Sequence, residues 1–153
     1  MTRDFETKTS FIHRKNAIVP GYWPIALDIG YSAVKGFSPN DVFVFPSFAR
    51  KTSGQMVAMG EASPYDIQYK DNNGIWNVGY SAIASMTIGD SNDSLNSLYG
   101  RNRYFAPMFI VLARVGLGVA MMQNEFGKPE NEKVILQTGL PPAYLTADAP
   151  LLK

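Results

Sequence analysis

Three short apolar runs follow one another after residue 20, and a turn signal separates each run from the next. The runs cover residues 25–28, 33–37 and 42–48, and the second turn reads Ser-Pro-Asn-Asp. Short apolar runs bounded by Gly, Pro, Asn and Asp are typical of β-strands joined by tight turns. The pattern predicts an antiparallel meander of three strands, with Pro46 at the end or the edge of the third strand.

The middle of the chain, residues 50–99, is richer in Ser, Asn, Asp and Gly than the segments on either side. Its mixed polarity predicts a small inserted β-rich subdomain with shallow burial. Three strands, one short helix and one loop are predicted, at residues 55–59, 65–69, 74–78, 80–85 and 88–95 respectively.

A largely apolar helix is predicted over residues 104–126, and Pro107 suits its first turn. Gly116 and Gly118 would let this helix lie close to a sheet, although the alternative is that they only weaken it. The β-branched run 133–138 predicts a buried strand. Because this strand follows a helix, we expect it to run parallel to the first strand.

These elements predict a core formed by residues 21–49 and 100–153, with residues 50–99 inserted between its two parts. Residues 1–20 are predicted to be a flexible tail. His13, the single histidine, is therefore expected to be solvent-exposed, with no partner for a metal site or a catalytic pair. A further helix is expected to begin at Ala143, and the sequence stops inside it, which indicates a fragment.

Composition narrows the possible functions. A chain of 153 residues with 46% hydrophobic and 18% charged residues fits one domain or one lobe, and global disorder is excluded. The net charge of +1 gives no basic footprint for direct nucleic-acid binding. The chain has no cysteine, signal peptide or uninterrupted membrane span. We therefore expect a cytoplasmic protein that does not bind a membrane.

The turn between the first two strands carries the candidate chemistry. Asp28 ends the first strand, Gly30 follows it in the turn, and Lys35 lies on the second strand. Converging backbone N–H groups, a hydroxyl and an ammonium suit a phosphate, and a nearby carboxylate suits hydrated Mg²⁺. The sequence predicts a nucleotide-phosphate site here, and the alternative is an ordinary β-turn with a surface lysine.

Other polar clusters favour simpler interpretations. Asp90 and Asp93 have the spacing of metal ligands, but loops rich in Ser, Asn and Asp are common, so a solvated loop is expected. Arg101 and Arg103 are expected to form a solvated start of the long helix rather than a ligand site.

Four segments, taken in order, resemble the N-terminal lobe of the actin-like ATPases, and above all the plasmid-segregation branch that includes the ParM, StbA and archaeal-actin-like proteins. They are Leu-Asp-Ile-Gly-Tyr-Ser-Ala-Val-Lys at 27–35, Val-Phe-Pro-Ser at 44–47, Trp-Asn-Val-Gly at 76–79 with Ala82 after it, and Leu-Gln-Thr-Gly-Leu-Pro at 136–141. The resemblance covers residues 21–153. It implies an α/β, ribonuclease-H-like fold of the actin and chaperone-ATPase type, with domain I alone present.

The resemblance also implies roles for individual residues. Asp28 would face Mg²⁺ through water, and Lys35 would reach the β- and γ-phosphates as a point charge. The other phosphate-lining residues would be those of the turn, Gly30, Tyr31 and Ser32. Tyr31 departs from the small or hydroxyl residue that is frequent at this position in the family.

A second turn, Thr138-Gly139, would lie beside the γ-phosphate, and the alternative is a plain strand end. The family's catalytic Gln or Glu lies on the helix that begins here near Ala143, and no residue of this chain matches it. The intact protein is therefore expected to be an ATPase that uses ATP or GTP with Mg²⁺, and this chain alone is expected to be inactive.

The function that the resemblance implies is filament formation for plasmid DNA segregation, with other protomers and a DNA-binding adaptor as partners. Tyr65, Tyr69 and Trp76 would form either the core of the small subdomain or a filament contact. Two alternatives of the same fold stay open. One is a lobe of a phosphotransferase of the sugar- or acetate-kinase type, and the other is a non-catalytic interaction domain.

Overall fold

A computed structural model describes residues 8–16, 19–52, 67–84, 103–129 and 133–139. The strands in these ranges are β1 (Ser10–His13), β2 (Tyr22–Ile29), β3 (Ala33–Phe37), β4 (Asp41–Pro46), β5 (Ala49–Thr52), β6 (Ile67–Asp71), β7 (Gly74–Val78) and β8 (Lys133–Thr138). The helices are α1 (Tyr80–Ala84) and α2 (Pro107–Ala120), and a 3₁₀ turn at Arg103–Phe105 precedes α2.

The larger of the two sheets has the strand order β1-β4-β3-β2-β8. Its centre is the antiparallel meander β2-β3-β4, and β8 runs parallel to β2. Both features confirm the prediction from the sequence. The tight turns between consecutive strands leave no room for a crossover, whereas the helix before β8 allows the chain to return in the direction of β2.

Helix α2 covers one face of this sheet at β2 and β3. Val111, Leu112 and Val115 are buried on the helix, and Leu27 and Val34 are buried beneath it. A Cβ atom added at Gly116 would lie 2.7 Å from Cδ1 of Leu27, which is closer than two carbon atoms can pack. Gly116 therefore permits the close approach of helix and sheet, whereas Gly118 faces open space.

The helix is shorter than the predicted range 104–126, because its carboxyl end is capped by another element. The indole N–H of Trp23 donates a hydrogen bond to the carbonyl of Ala120, at 2.9 Å. In a longer helix the N–H of Asn124 would donate to that carbonyl. Asn124 instead donates its backbone N–H to the carbonyl of Gly127, at 3.1 Å.

The predicted tail over residues 1–20 is wrong at Ser10–His13, which form β1 and pair with β4. Phe11 stacks on Phe43, with ring centroids 6.4 Å apart, so the strand gains apolar burial from a core residue. His13 is 61% exposed, as expected, and its Nδ1 contacts Oδ1 of the buried Asp41, a contact that the sequence did not predict. Short tails with two anchoring residues of this kind are hard to recognise from polarity alone.

The inserted segment contains the second sheet, of order β5-β7-β6, and α1. Strand β7 lies where it was predicted, β6 lies two residues later than predicted at its start, and β5 was not predicted. The backbone N–H of Gly79 donates to the carbonyl of Phe48, at 2.7 Å, which joins the end of β7 to the segment before β5. Burial is deeper than predicted, because Val78 and Ala82 join the main core.

Strand β8 is exposed along its whole length, which corrects the prediction of a buried strand. Among the described residues it pairs with β2 alone, and α2 lies over β2 and β3 rather than over β8.

The predicted elements at 55–59, 88–95 and from Ala143, together with Asp90, Asp93 and Tyr65, lie outside the described residues. No helix in the described ranges has the length and apolar character that crossing a bilayer requires.

The two helix glycines give a matched test of the packing of α2. We expect Gly116→Ala to destabilise the protein by about 1–3 kcal/mol, because the new methyl group overpacks Leu27. Gly118→Ala should instead stabilise it by roughly 0.5–1 kcal/mol, through the higher helix propensity of Ala at an open site. Urea unfolding of both variants measures the difference, and equal effects would contradict the close contact.

His13→Ala tests the attachment of β1. The substitution leaves the buried Asp41 carboxylate without its side-chain partner, so we expect a loss of about 1–3 kcal/mol in the free energy of unfolding. Lys15→Ala, at an exposed position nearby, is the control and should stay within about 0.5 kcal/mol of the wild type. Equal stability of the two variants in urea unfolding would show that the contact does not hold β1.

Candidate functional site

The alternation of β2 and β3 sorts the candidate residues onto two faces of the sheet. Leu27 and Val34 are buried under α2, so their neighbours Asp28 and Lys35 point to the opposite, exposed face. The register pairs Asp28 directly with Lys35 across the two antiparallel strands. Directly paired residues of antiparallel strands project on the same side, so the side chains of Asp28 and Lys35 extend from the same face of the sheet.

This exposed face carries a cavity of about 670 Å³. Asp28, Lys35, Thr138 and Gly139 line it, so four of the predicted site residues are brought together. Further lining residues are apolar and come from the next strands, among them Ile12, Phe37, Val42 and Val44. The cavity thus has a polar part at the carboxyl ends of β2 and β8, and an apolar part beside it.

Gln137 also lines the cavity, although no role was predicted for it from the sequence. It pairs with Ala26 in the parallel register of β2 and β8, and Ala26 lies on the same face as Asp28. The register between two strands that are distant in the sequence decides this placement. The alternation within β8 would have predicted it only if that register had been known.

The turn residues Gly30, Tyr31 and Ser32 do not line this cavity. The N–H of Gly30 donates to the carbonyl of Ala33, at 3.0 Å, and the carbonyl of Ser32 accepts from the N–H of Ser47, at 3.1 Å. A Cβ atom at Gly30 would lie 3.1 Å from the oxygen of Ala33, which explains the glycine. These two hydrogen bonds hold the turn at both ends, and the Gly30 N–H donates within the turn itself.

The ring of Tyr31 is turned towards α2 rather than towards the cavity. The guanidinium carbon of Arg103 lies 4.7 Å from the centre of this ring. The same carbon lies 5.2 Å from the ring centre of Tyr104 and 5.6 Å from that of Phe109 in α2. The prediction of a solvated Arg103 is wrong, because Arg103 is only 6% exposed and packs among these rings. Arg101 lies outside the described residues.

The electrostatics of the exposed face suit an anion with its counter-ion. In the described part of the chain, neither Asp28 nor Lys35 forms an ion pair or a side-chain hydrogen bond. No group of three or more His, Asp or Glu residues that could hold a metal occurs among the described residues. A lone carboxylate fits Mg²⁺ that arrives with phosphate ligands and water, since Mg²⁺ needs only one or two protein carboxylates in such sites.

Comparison with known proteins gives one family match. The family model described as the N-terminal domain of actin-like proteins matches residues 26–150. A search of the curated proteins returns no significant match to the sequence.

Solved structures of ParM proteins share the fold. The chain is similar to apo pSK41 ParM, with 22% identity, a TM-score of 0.59, and coverage of 86% of this chain and 40% of the other. It is also similar to a 15-stranded ParM filament from Clostridium botulinum, with 20% identity, a TM-score of 0.62, and coverage of 86% and 38%. A non-polymerisable quadruple mutant of pCBH ParM gives 21% identity, a TM-score of 0.59, and coverage of 86% and 37%. The chain therefore spans about two fifths of the length of these proteins.

Proposed function

Because residues 26–150 place this chain in the family of actin-like proteins, as its N-terminal domain, we propose that it forms the nucleotide-binding first lobe of a filament-forming protein for plasmid segregation. The observation that carries this proposal is the cross-strand pair Asp28–Lys35 at the polar part of the cavity. A cation and a carboxylate that project from the same face of two neighbouring strands suit a phosphate and its Mg²⁺.

In the proposed site, ATP or GTP binds with Mg²⁺ over the exposed face of β2 and β3. Lys35 would bind the terminal phosphates, and Asp28 would hold the hydrated metal ion, which supplies charge neutralisation for phosphate transfer. Thr138 and Gly139 would approach the γ-phosphate from β8. The turn residues Gly30, Tyr31 and Ser32, which follow Asp28 at the same end of the hairpin, would border the phosphates outside this cavity.

The polymer is proposed from the neighbouring structures. Two of them are described by polymerisation, one as a filament and one as a non-polymerisable mutant. We infer that the whole protein associates with further copies of itself in the cytoplasm. A net charge of +1 gives this chain no net electrostatic attraction to DNA, so a DNA-binding adaptor is the partner we propose.

Nucleotide hydrolysis is proposed for the whole protein and not for this chain alone. The chain corresponds to 37–40% of the length of the ParM structures. One face of a cleft can hold a phosphate by charge, but it cannot orient an attacking water from the opposite side or exclude bulk solvent.

We propose that the chain divides into a core of residues 21–49 and 100–153, to which β1 is added, and an insert of residues 50–99.

Lys35→Met in the full-length protein tests the nucleotide site. Loss of a charged contact to phosphate should weaken binding of MgATP by about 10–100-fold. Lys133→Met is the matched control, since Lys133 pairs with Tyr22 at the far end of the same strands, roughly 20 Å from Asp28, and should leave the affinity unchanged. Isothermal titration calorimetry measures both. Wild-type affinity in Lys35→Met would refute the proposed phosphate site.

Sedimentation of the full-length protein tests the polymer. We expect it to pellet with MgATP or MgGTP and to stay in the supernatant without nucleotide. Lys35→Met should stay in the supernatant at a nucleotide concentration that saturates the wild type. A protein that binds MgATP tightly but never pellets, and that transfers phosphate to a sugar or to acetate, would instead be a phosphotransferase. A protein that neither binds nucleotide nor pellets would be an interaction domain.

A further inference from the structure

Strand β1 covers one edge of the larger sheet. In the strand order β1-β4-β3-β2-β8, β4 has no other neighbour on that side among the described residues. The family match begins at residue 26, so β1 lies outside the segment that the model of the actin-like domain covers. Membership of the family therefore assigns no role to this strand.

The edge of β4 has none of the features that protect an open sheet edge. An unpaired strand offers its N–H and C=O groups to other chains, and Lys, Pro or a bulge usually prevents such pairing. Strand β4 has its proline at the last position, and its one charged residue, Asp41, is buried. The four residues between them are Val and Phe, which favour strands, and their register with β3 has no bulge. Without β1, this edge could pair with another strand.

Two copies of β4 fit each other in the way that β1 fits β4. In the observed register Phe11 faces Phe43, and the next residue, Ile12, faces Val42. An antiparallel second copy of β4, centred on Phe43, would place its own Phe43 where Phe11 lies. Its Val44 would then lie where Ile12 lies. Aromatic and β-branched cross-strand pairs stabilise a sheet, so a second copy related by a two-fold axis suits an open β4 edge.

The edge that β1 presents instead is short and flanked by positive charge. Strand β1 has four residues, and the exposed Lys8, Arg14 and Lys15 lie on either side of it. Two copies that approached along β1 would bring these cations together, and like charges repel. Short edge strands and lysines are features by which natural sheets avoid edge-to-edge pairing. Strand β1 thus replaces an apolar edge with a protected one.

Further hydrogen bonds attach the segment after β1 to the turn before β4. The N–H of Arg14 donates to the carbonyl of Asn40, at 2.9 Å. The N–H of Asn16 donates to the carbonyl of Pro39, also at 2.9 Å, and its side-chain amide donates to the carbonyl of Ser38, at 2.7 Å. Another strand would have to displace these contacts together with β1 before it reached β4.

We propose that β1 is an edge-closing strand, which prevents two copies of the protein from associating through β4. The inference goes beyond the proposed function, because it concerns association without nucleotide at the edge of the sheet. In a polymer whose assembly depends on nucleotide, an open β4 edge would join copies whether or not nucleotide is bound. Closing that edge leaves assembly to the contacts that nucleotide controls.

Deletion of residues 1–13 from the full-length protein opens the β4 edge. Without nucleotide, we expect the wild type to be a monomer and the truncated protein to have about twice the monomer mass by light scattering. A synthetic peptide of residues 8–16 should return the truncated protein to a monomer. The same peptide with Phe11→Ala should need an about tenfold higher concentration, because it lacks the stacked ring.

A lysine placed on each edge of the sheet identifies the edge that associates. Val42→Lys in the truncated protein should restore a monomer, since a lysine in an edge strand opposes pairing. Ile135→Lys is the matched control, because Ile135 is another β-branched residue, 50% exposed, in β8 at the opposite edge. This control should leave the dimer intact, and circular dichroism shows whether each variant is folded.

If the truncated protein does not fold, the double variant Phe11→Ala/His13→Ala takes its place. It removes both side-chain anchors of β1 and retains the chain, so we expect the same change in mass and the same effect of each lysine. The lysine variants are then made in this background.

The proposal is wrong if the protein with its β4 edge opened stays a monomer. It is also wrong if the dimer persists with Val42→Lys or dissociates with Ile135→Lys, since either result places the contact elsewhere. Aggregation that neither the peptide nor Val42→Lys reverses equally contradicts it. Nucleotide affinity in Lys35→Met has no bearing on these masses, so failure of the nucleotide site and failure of the edge-closing strand are distinguishable.

Discussion

The packing of α2 onto β2 and β3 is the constraint on which the rest of the structure depends. Gly116 lets the helix backbone approach Leu27 and Val34. The side chains of these two residues are buried on the face of the sheet that the helix covers. Since side chains alternate along a strand, Asp28 and Lys35 must then project from the other face. A shift of register by one residue would bury both charges, so the hydrophobic contact also determines where the polar chemistry lies.

Much of this arrangement could be predicted from local sequence. The turn signals and apolar runs predicted the meander and β7, and the apolar helix before residues 133–138 predicted that β8 is parallel to β2. The family model confirms the resemblance inferred from the hairpin and from Thr138-Gly139, and the solved ParM structures confirm the fold class. Local periodicity is informative here because the neighbours in these elements are close in the sequence.

The features that the sequence did not reveal depend on contacts between distant segments. Strand β1 exists because Phe11 stacks on Phe43 and His13 contacts Asp41, and neither partner can be inferred from the polar N-terminal segment. Arg103 was expected in solvent because charged residues usually are, but in the structure it is buried and rings from separate elements lie around its guanidinium. For the same reason, the pairing of β8 with one neighbour, rather than its composition, decides its exposure.

One chain of backbone hydrogen bonds has a mechanical consequence. Ser47 donates to the carbonyl of Ser32 in the hairpin turn, and the next residue, Phe48, accepts from Gly79 at the end of β7. The segment that leads into the insert is thus tied on one side to the hairpin and on the other to the insert's central strand. A hinge at this point would have to break one of these two bonds before the insert could swing. The hairpin turn and the insert's central strand are therefore linked through two consecutive residues, Ser47 and Phe48.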